Sequence, residues 1–198
     1  QKNLVQRLQA ASKLPLLVGQ DAEWGQAMRL DSTYKFPTSL TVGAVQDMDV
    51  VEDLGAALAY ESHKTGVHMS FSPVLDVNTN PKNPIIGARS FGSDPLEVSK
   101  RGLSLTRGME GAGVLGSGKH FPGHGDTQSD SHKTLPVVDR TLEELKEVES
   151  QTTPKRPRCL IFSTPNPRAL RSRKALPWPR RPASRAGILP IPRRAISG

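Results

Sequence analysis

The sequence predicts an α/β fold built on a parallel sheet over residues 1–150, followed by an irregular basic tail over residues 151–198. Three observations carry that reading. Three short apolar runs each close on polar groups, with helical periods between them. Helix-start signatures stand where those helices would begin. The composition then changes abruptly after Ser150.

The first run, Leu-Pro-Leu-Leu-Val-Gly-Gln-Asp at residues 14–21, ends on a carboxylate. Met48, Val51, Leu54 and Leu58 follow at three- and four-residue steps, as one buried helix face requires. His63 reads as a helix-end residue and His68 as a strand-entry residue. The second run, Met-Ser-Phe-Ser-Pro-Val-Leu-Asp at residues 69–76, again closes on a carboxylate. Asp94-Pro95-Leu96-Glu97 supplies an N-cap, a proline at the first helical position and a glutamate placed to reach back. The third run, Val-Leu-Gly-Ser-Gly-Lys-His at residues 114–120, ends on two polar groups. Thr141-Leu-Glu-Glu144, followed by Leu145 and Val148, is a second capping box. Polar residues therefore gather where each strand would end. That is the ligand face of a (β/α)8 barrel and of a doubly wound sheet alike, and the pattern alone does not separate them.

The formal charge of +8 averages two unlike pieces. Residues 151–198 hold 12 of the 27 basic residues, nine of the 17 prolines and the lone cysteine, Cys159, with no acid. Residues 1–150 carry the other 15 basic residues against 19 acidic ones, a net of −4. Prolines interrupt every helix-length window of the tail, and only Cys159-Leu-Ile-Phe162 looks strand-like. The tail admits three readings: a basic segment that binds nucleic acid or an anionic surface, a disordered linker, or wrong-frame translation of a GC-rich gene. The third is preferred, because CGN and CCN codons give Arg and Pro together. One cysteine excludes an intramolecular disulfide and a Cys-based zinc site. No apolar run reaches the roughly 18–20 residues of a membrane span.

The densest chemistry lies in Lys119-His-Phe-Pro-Gly-His-Gly-Asp-Thr-Gln-Ser-Asp-Ser-His132, which packs Lys119, His120, His124, Asp126, Asp130 and His132 into 14 residues. A polar surface loop rarely concentrates titratable groups in this way. Residues 113–119 also fit the G-x-x-x-x-G-K phosphate loop, but His120 stands where Ser or Thr should hold Mg²⁺, and Phe-Pro-Gly follows where a helix must start. A metal site from His120, His124 and His132 is the next reading, opposed by Pro122 and Gly123 between the first two. Asp130-Ser-His132 offers acid/base chemistry instead. Residues two apart in an extended loop point the same way, so the carboxylate can orient the imidazole and raise its basicity.

Five ordered motifs resemble the N-terminal part of the catalytic barrel of family 3 glycoside hydrolases. They are Gly19-Gln-Asp-Ala-Glu-Trp-Gly-Gln-Ala-Met-Arg-Leu30, Phe36-Pro-Thr-Ser-Leu-Thr-Val-Gly-Ala44, Phe71-Ser-Pro-Val-Leu-Asp-Val-Asn-Thr-Asn-Pro81, Arg89-Ser-Phe-Gly-Ser-Asp-Pro95 and the Lys119–His132 segment. The Asp-Ser-His ending is similar to the β-N-acetylglucosaminidase branch. The resemblance implies a partial TIM (β/α)8 barrel, roughly its first three βα units, and retaining hydrolysis of terminal β-linked N-acetylglucosamine. A β-glucosidase specificity is the alternative; a metal-dependent hydrolase and a nucleic-acid-binding tail are the others. On this resemblance Asp21 and Arg29 would bind sugar hydroxyls, while Arg89, Lys119 and His120 would complete the substrate pocket. His132, oriented by Asp130, would be the general acid/base. Neither a cofactor nor a metal is implied, and nucleic acid is not an expected partner.

A retaining glycosidase also needs a carboxylate nucleophile on the opposite side of the anomeric carbon. In this family it is an Asp much later in the barrel, whereas no Asp or Glu follows Glu149 here. The expectation is a truncated barrel with little or no hydrolase activity. Asp76 and Asn78 are expected to hydrogen-bond loop backbone, Arg89 could instead be an ion-pair partner of a barrel carboxylate, and Trp24 could pack or stack on sugar. Exported and cytoplasmic members both exist in this family; the Asp-x-Glu-Trp-Gly variant at Asp21 resembles the exported bacterial ones, which favours the cell envelope with the cytoplasm as the alternative.

Overall fold

The computed structural model describes residues 1–121 and 123–125. The chain divides into two units, Gln1–Pro165 and Asn166–Gly198, and every described residue belongs to the first. The capping box at Thr141, the Asp130–His132 pair and the basic tail lie outside the described residues.

The architecture is α/β with a small parallel sheet. In chain order it runs α1 (Lys2–Ala11), β1 (Gly19–Gln20), α2 (Ser39–Val42), α3 (Met48–Thr65), β2 (Met69–Ser70), α4 (Pro95–Gly111) and β3 (Leu115–Gly116). Gly19 pairs with Met69 and Met69 with Leu115, all parallel, so the strands lie in sequential order β1-β2-β3. After an interruption the ladder resumes at the parallel bridge between Val74 and Lys119. No helix among the described residues is long and apolar enough to cross a membrane.

The strands are shorter than the apolar runs that announce them. Pro15 and Pro73 each remove a ladder donor from their run. The start of the first run turns to α1 instead: Gln9 donates to Leu16 O at 2.7 Å and accepts from Leu16 N at 2.9 Å. Leu14 and Leu17 stay exposed. α1 buries only Val5 of its apolar side, while Leu4 and Leu8 face solvent.

The signals for α3 and α4 hold with one correction. Val51 and Leu58 of α3 are buried, with Met48 and Leu54 packed on the same core. That core also takes Val98 and Leu105 of α4, Val42, Val77 and Phe91. Burying each such side chain contributes roughly 1.5–3 kcal/mol. Asp94 caps α4 by accepting from Glu97 N at 2.9 Å, with Pro95 at the first turn. The Glu97 carboxylate, expected to reach back to the cap, turns forward to Lys100 and Arg101. Two cations a turn away are stronger partners for it than one amide. Arg101, almost fully buried, also donates to Val45 O at 2.8 Å and ties α4 to the link between α2 and α3.

Glycines set how closely α3 and α4 cross. A methyl group on Gly55 would sit 2.2 Å from Leu105 O, and one on Gly108 would sit 1.9 Å from Glu52 O. The contact is backbone to backbone, and only glycine permits it.

Candidate active site

Each strand delivers polar side chains just past its carboxyl end. Asp21 follows β1 directly, and Glu23 stands two residues on, in the turn closed by Gly25 N donating to Ala22 O at 3.1 Å. Lys119 sits on the bridge beyond β3, and His120 follows it. Asp76 lies two residues past Val74, the partner in that bridge. Arg89 closes a 3-10 turn, Gly87–Arg89. That turn is set by Asn83, whose side-chain oxygen accepts from Ile85 N at 2.8 Å and Ile86 N at 2.9 Å. The amide of the same side chain donates to His124 O at 2.8 Å, joining the two loops. The Ser72–Pro73 and Lys119–His120 peptides are cis.

These side chains form one continuous polar chain. Asp76 Oδ2 lies 2.6 Å from His120 Nδ1, and His120 Nε2 lies 3.4 Å from Arg89 Nη2. Arg89 donates to both oxygens of Glu23, from Nη2 at 2.7 Å and from Nε at 3.0 Å. Lys119 Nζ is 2.6 Å from Glu23 Oε1 and 2.6 Å from Asp21 Oδ1. Arg29 Nε donates to Asp21 O at 2.8 Å, and its Nη2 stands 4.0 Å from Asp21 Oδ2.

Exposure divides this chain into a back and a front. The Glu23 and Asp76 side chains are 3% and 0% exposed, against 46% for Asp21 and 47% for Arg29. Lys119, His120 and Arg89 lie between, at 9%, 21% and 25%. Burial alone would raise the Glu23 carboxyl, but the hydrogen bond from Arg89 and the charge of Lys119 outweigh it and hold it below its ordinary 4.5. Burial would likewise lower Arg89, yet the hydrogen bond and charge of Glu23 raise it above its ordinary value. The ion pair is therefore fully charged at neutral pH. A front row of Asp21, Arg29, Arg89, Lys119 and His120 offers alternating acceptors and donors on a rigid back, which suits a ligand rich in hydroxyl groups.

The five described residues singled out from the sequence as sugar binders, Asp21, Arg29, Arg89, Lys119 and His120, are thus brought together. The expected catalytic pair, Asp130 and His132, lies outside the described residues. Arg89 is also the ion-pair partner of a buried carboxylate, as its alternative reading has it. Asp76 accepts loop backbone N–H groups from His120 at 3.2 Å and His124 at 2.6 Å, and the His120 ring besides. Trp24 is half-buried. His63 is in the last turn of α3, and His68 precedes β2 and accepts from Val18 N through Nδ1 at 3.1 Å. The phosphate-loop reading fails in its topology, because the helix α4 precedes Gly113 where a strand is required. The residue that sequence reasoning missed is Glu23. Its signal was the Asp-x-Glu pair itself, two carboxylates close in sequence that both meet Lys119.

A sheet with parallel strands and a row of charged side chains past their carboxyl ends defines an α/β protein with a polar site at its strand ends. Residues 1–153 match the family model described as the glycosyl hydrolase family 3 N terminal domain, and the chain belongs to that family. It is 38% identical over 144 residues to Beta-hexosaminidase A of Pseudoalteromonas piscicida, covering 70% of this chain and 24% of that protein. It is 37% identical over 150 residues to a Beta-hexosaminidase of Idiomarina loihiensis, covering 73% of this chain and 45% of that one. Among solved structures it resembles a glycoside hydrolase family 3 β-N-acetylglucosaminidase from Paenibacillus sp. str. FPU-7, with a TM-score of 0.72 and 36% identity over 76% of this chain and 30% of that one. Native NagZ from Neisseria gonorrhoeae gives a TM-score of 0.70 and 31% identity over 76% of this chain and 46% of NagZ. The chain thus spans from 24% to 46% of the length of these relatives.

Proposed function

We propose that the chain carries the sugar-recognition part of a retaining glycosidase acting on terminal β-linked N-acetylglucosamine. The observation that carries the reading is the convergence of Asp21, Arg29, Arg89, Lys119 and His120 at the strand ends over the buried Glu23. The names of the relatives support the same substrate class.

The described elements would be the first units of a (β/α)8 barrel. Sequential parallel strands, with α3 and α4 packed on each other, follow from crossovers that keep one direction. A doubly wound sheet reverses that direction at its switch point, and no reversal occurs within these three strands.

In this reading the carboxylates and cations of the front row take the sugar hydroxyls, holding the anomeric carbon against His132. That imidazole, oriented by Asp130, would protonate the leaving oxygen and later activate water. The proposal for the described residues is sugar recognition; the carboxylate nucleophile of a retaining mechanism is a separate group that they do not supply.

The test is a chimera in which residues 1–121 replace the matching segment of one of the β-hexosaminidase relatives. Turnover of an aryl β-N-acetylglucosaminide supports the reading. A folded chimera that ignores this substrate and cleaves an aryl β-glucoside overturns it in favour of glucosidase specificity.

A further inference from the structure

Asp76 is the most deeply buried carboxylate among the described residues of the site, and the front-row side chain it hydrogen-bonds is His120. Its Oδ2 lies 2.6 Å from His120 Nδ1, and a carboxylate oxygen can only accept, so Nδ1 carries a proton. On the other side of the ring, Arg89 Nη2 lies 3.4 Å from Nε2. A guanidinium can only donate, so Nε2 must present its lone pair. Both demands are met by one species: neutral imidazole with its proton on Nδ1. An imidazolium would instead turn an N–H toward the Arg89 cation.

The same carboxylate fixes the backbone that carries the ring. Oδ2 also accepts from His120 N at 3.2 Å, and Oδ1 accepts from His124 N at 2.6 Å. Arg89 is in turn held on three sides, by Glu23, by Ile85 O at 3.3 Å and by His120. A group held on three sides is pre-organised for a ligand before the ligand arrives.

We propose that Asp76 is a positioning residue: it locks His120 as the Nδ1–H tautomer, so that Nε2 accepts from Arg89 and fixes that guanidinium for sugar recognition. The last step rests on the sugar-binding reading above; the tautomer does not.

The experiment is a long-range ¹H–¹⁵N spectrum of the imidazoles in the ¹⁵N-labelled full chain, with His120 assigned by its loss in His120→Gln. In the wild type, Nδ1 is protonated and Nε2 bare. In Asp76→Asn that tautomer is lost, and the affinity for N-acetylglucosamine, read from shifts at the Lys119 amide, falls about tenfold. A wild-type proton on Nε2, or on both nitrogens, overturns the proposal, as does an Asp76→Asn spectrum identical to wild type. If that variant does not fold, the wild type decides alone: the His120 Nδ1 proton must be strongly downfield and slow to exchange, and its absence overturns the assignment. The tautomer is read without sugar. A chain with the Nδ1–H form that ignores N-acetylglucosamine therefore refutes the sugar reading and leaves the lock in place.

Discussion

Glu23 grips Arg89 at two points, 2.7 and 3.0 Å, from a position almost sealed from solvent. The oxygen nearer Arg89 also takes Lys119, so one carboxylate orders two cations that come from different loops. This makes Glu23 the anchor of the site although it is too buried to meet a ligand first.

Removing that anchor leaves a buried lysine and a partly buried arginine facing a neutral amide. Glu23→Gln is expected to destabilise the chain by about 3 kcal/mol, the scale on which a buried ion pair is broken from one side. Urea unfolding of the two proteins measures it, and an unchanged midpoint would show that the pair does not hold the loops.

The same carboxylate sets a dependence on acidity. Its folded-state value is depressed below 4.5, so its stabilisation is complete above that value and is lost as pH falls through the lower folded value. The stability gap between wild type and Glu23→Gln is therefore widest near neutral pH and shrinks below about pH 4.5. A gap that persists undiminished at the lowest accessible pH would contradict the assigned charge state.

A third prediction concerns the helix crossing. Gly108→Ala drives a methyl group against Glu52 O and forces α3 and α4 apart, at a cost of about 1–3 kcal/mol or more. Gly111→Ala, in the last turn of the same helix with nothing within 4 Å of the added methyl, should be neutral or stabilise by up to about 1 kcal/mol. Thermal unfolding of both variants separates close packing from helix propensity, because propensity alone gives them the same sign.

Much of this was legible before the structure, and the remainder has identifiable causes. The Asp94-Pro95 start of α4 and the Met48-to-Leu58 face of α3 are local signals, and both stand. Strand lengths were not legible, because ladder pairing depends on partners fifty residues away while apolar runs do not. The front-row residues could be named because their motifs resemble those of the glycoside hydrolase family; by position alone, only Asp21, Lys119 and His120 were marked, at the ends of apolar runs. Glu23 and Asp76 act through other side chains, and that role shows only when the loops holding Arg89 and His120 are folded against them.

The most direct test of the account is an N-acetylglucosamine titration of the ¹⁵N-labelled chain beside its Lys119→Met variant. The account predicts saturable shifts at the Lys119 and His120 amides in the wild type, and binding at least about tenfold weaker in the variant, the worth of one hydrogen bond to a charged group. Wild-type amides that do not respond to the sugar, or a variant that binds it equally well, would contradict it.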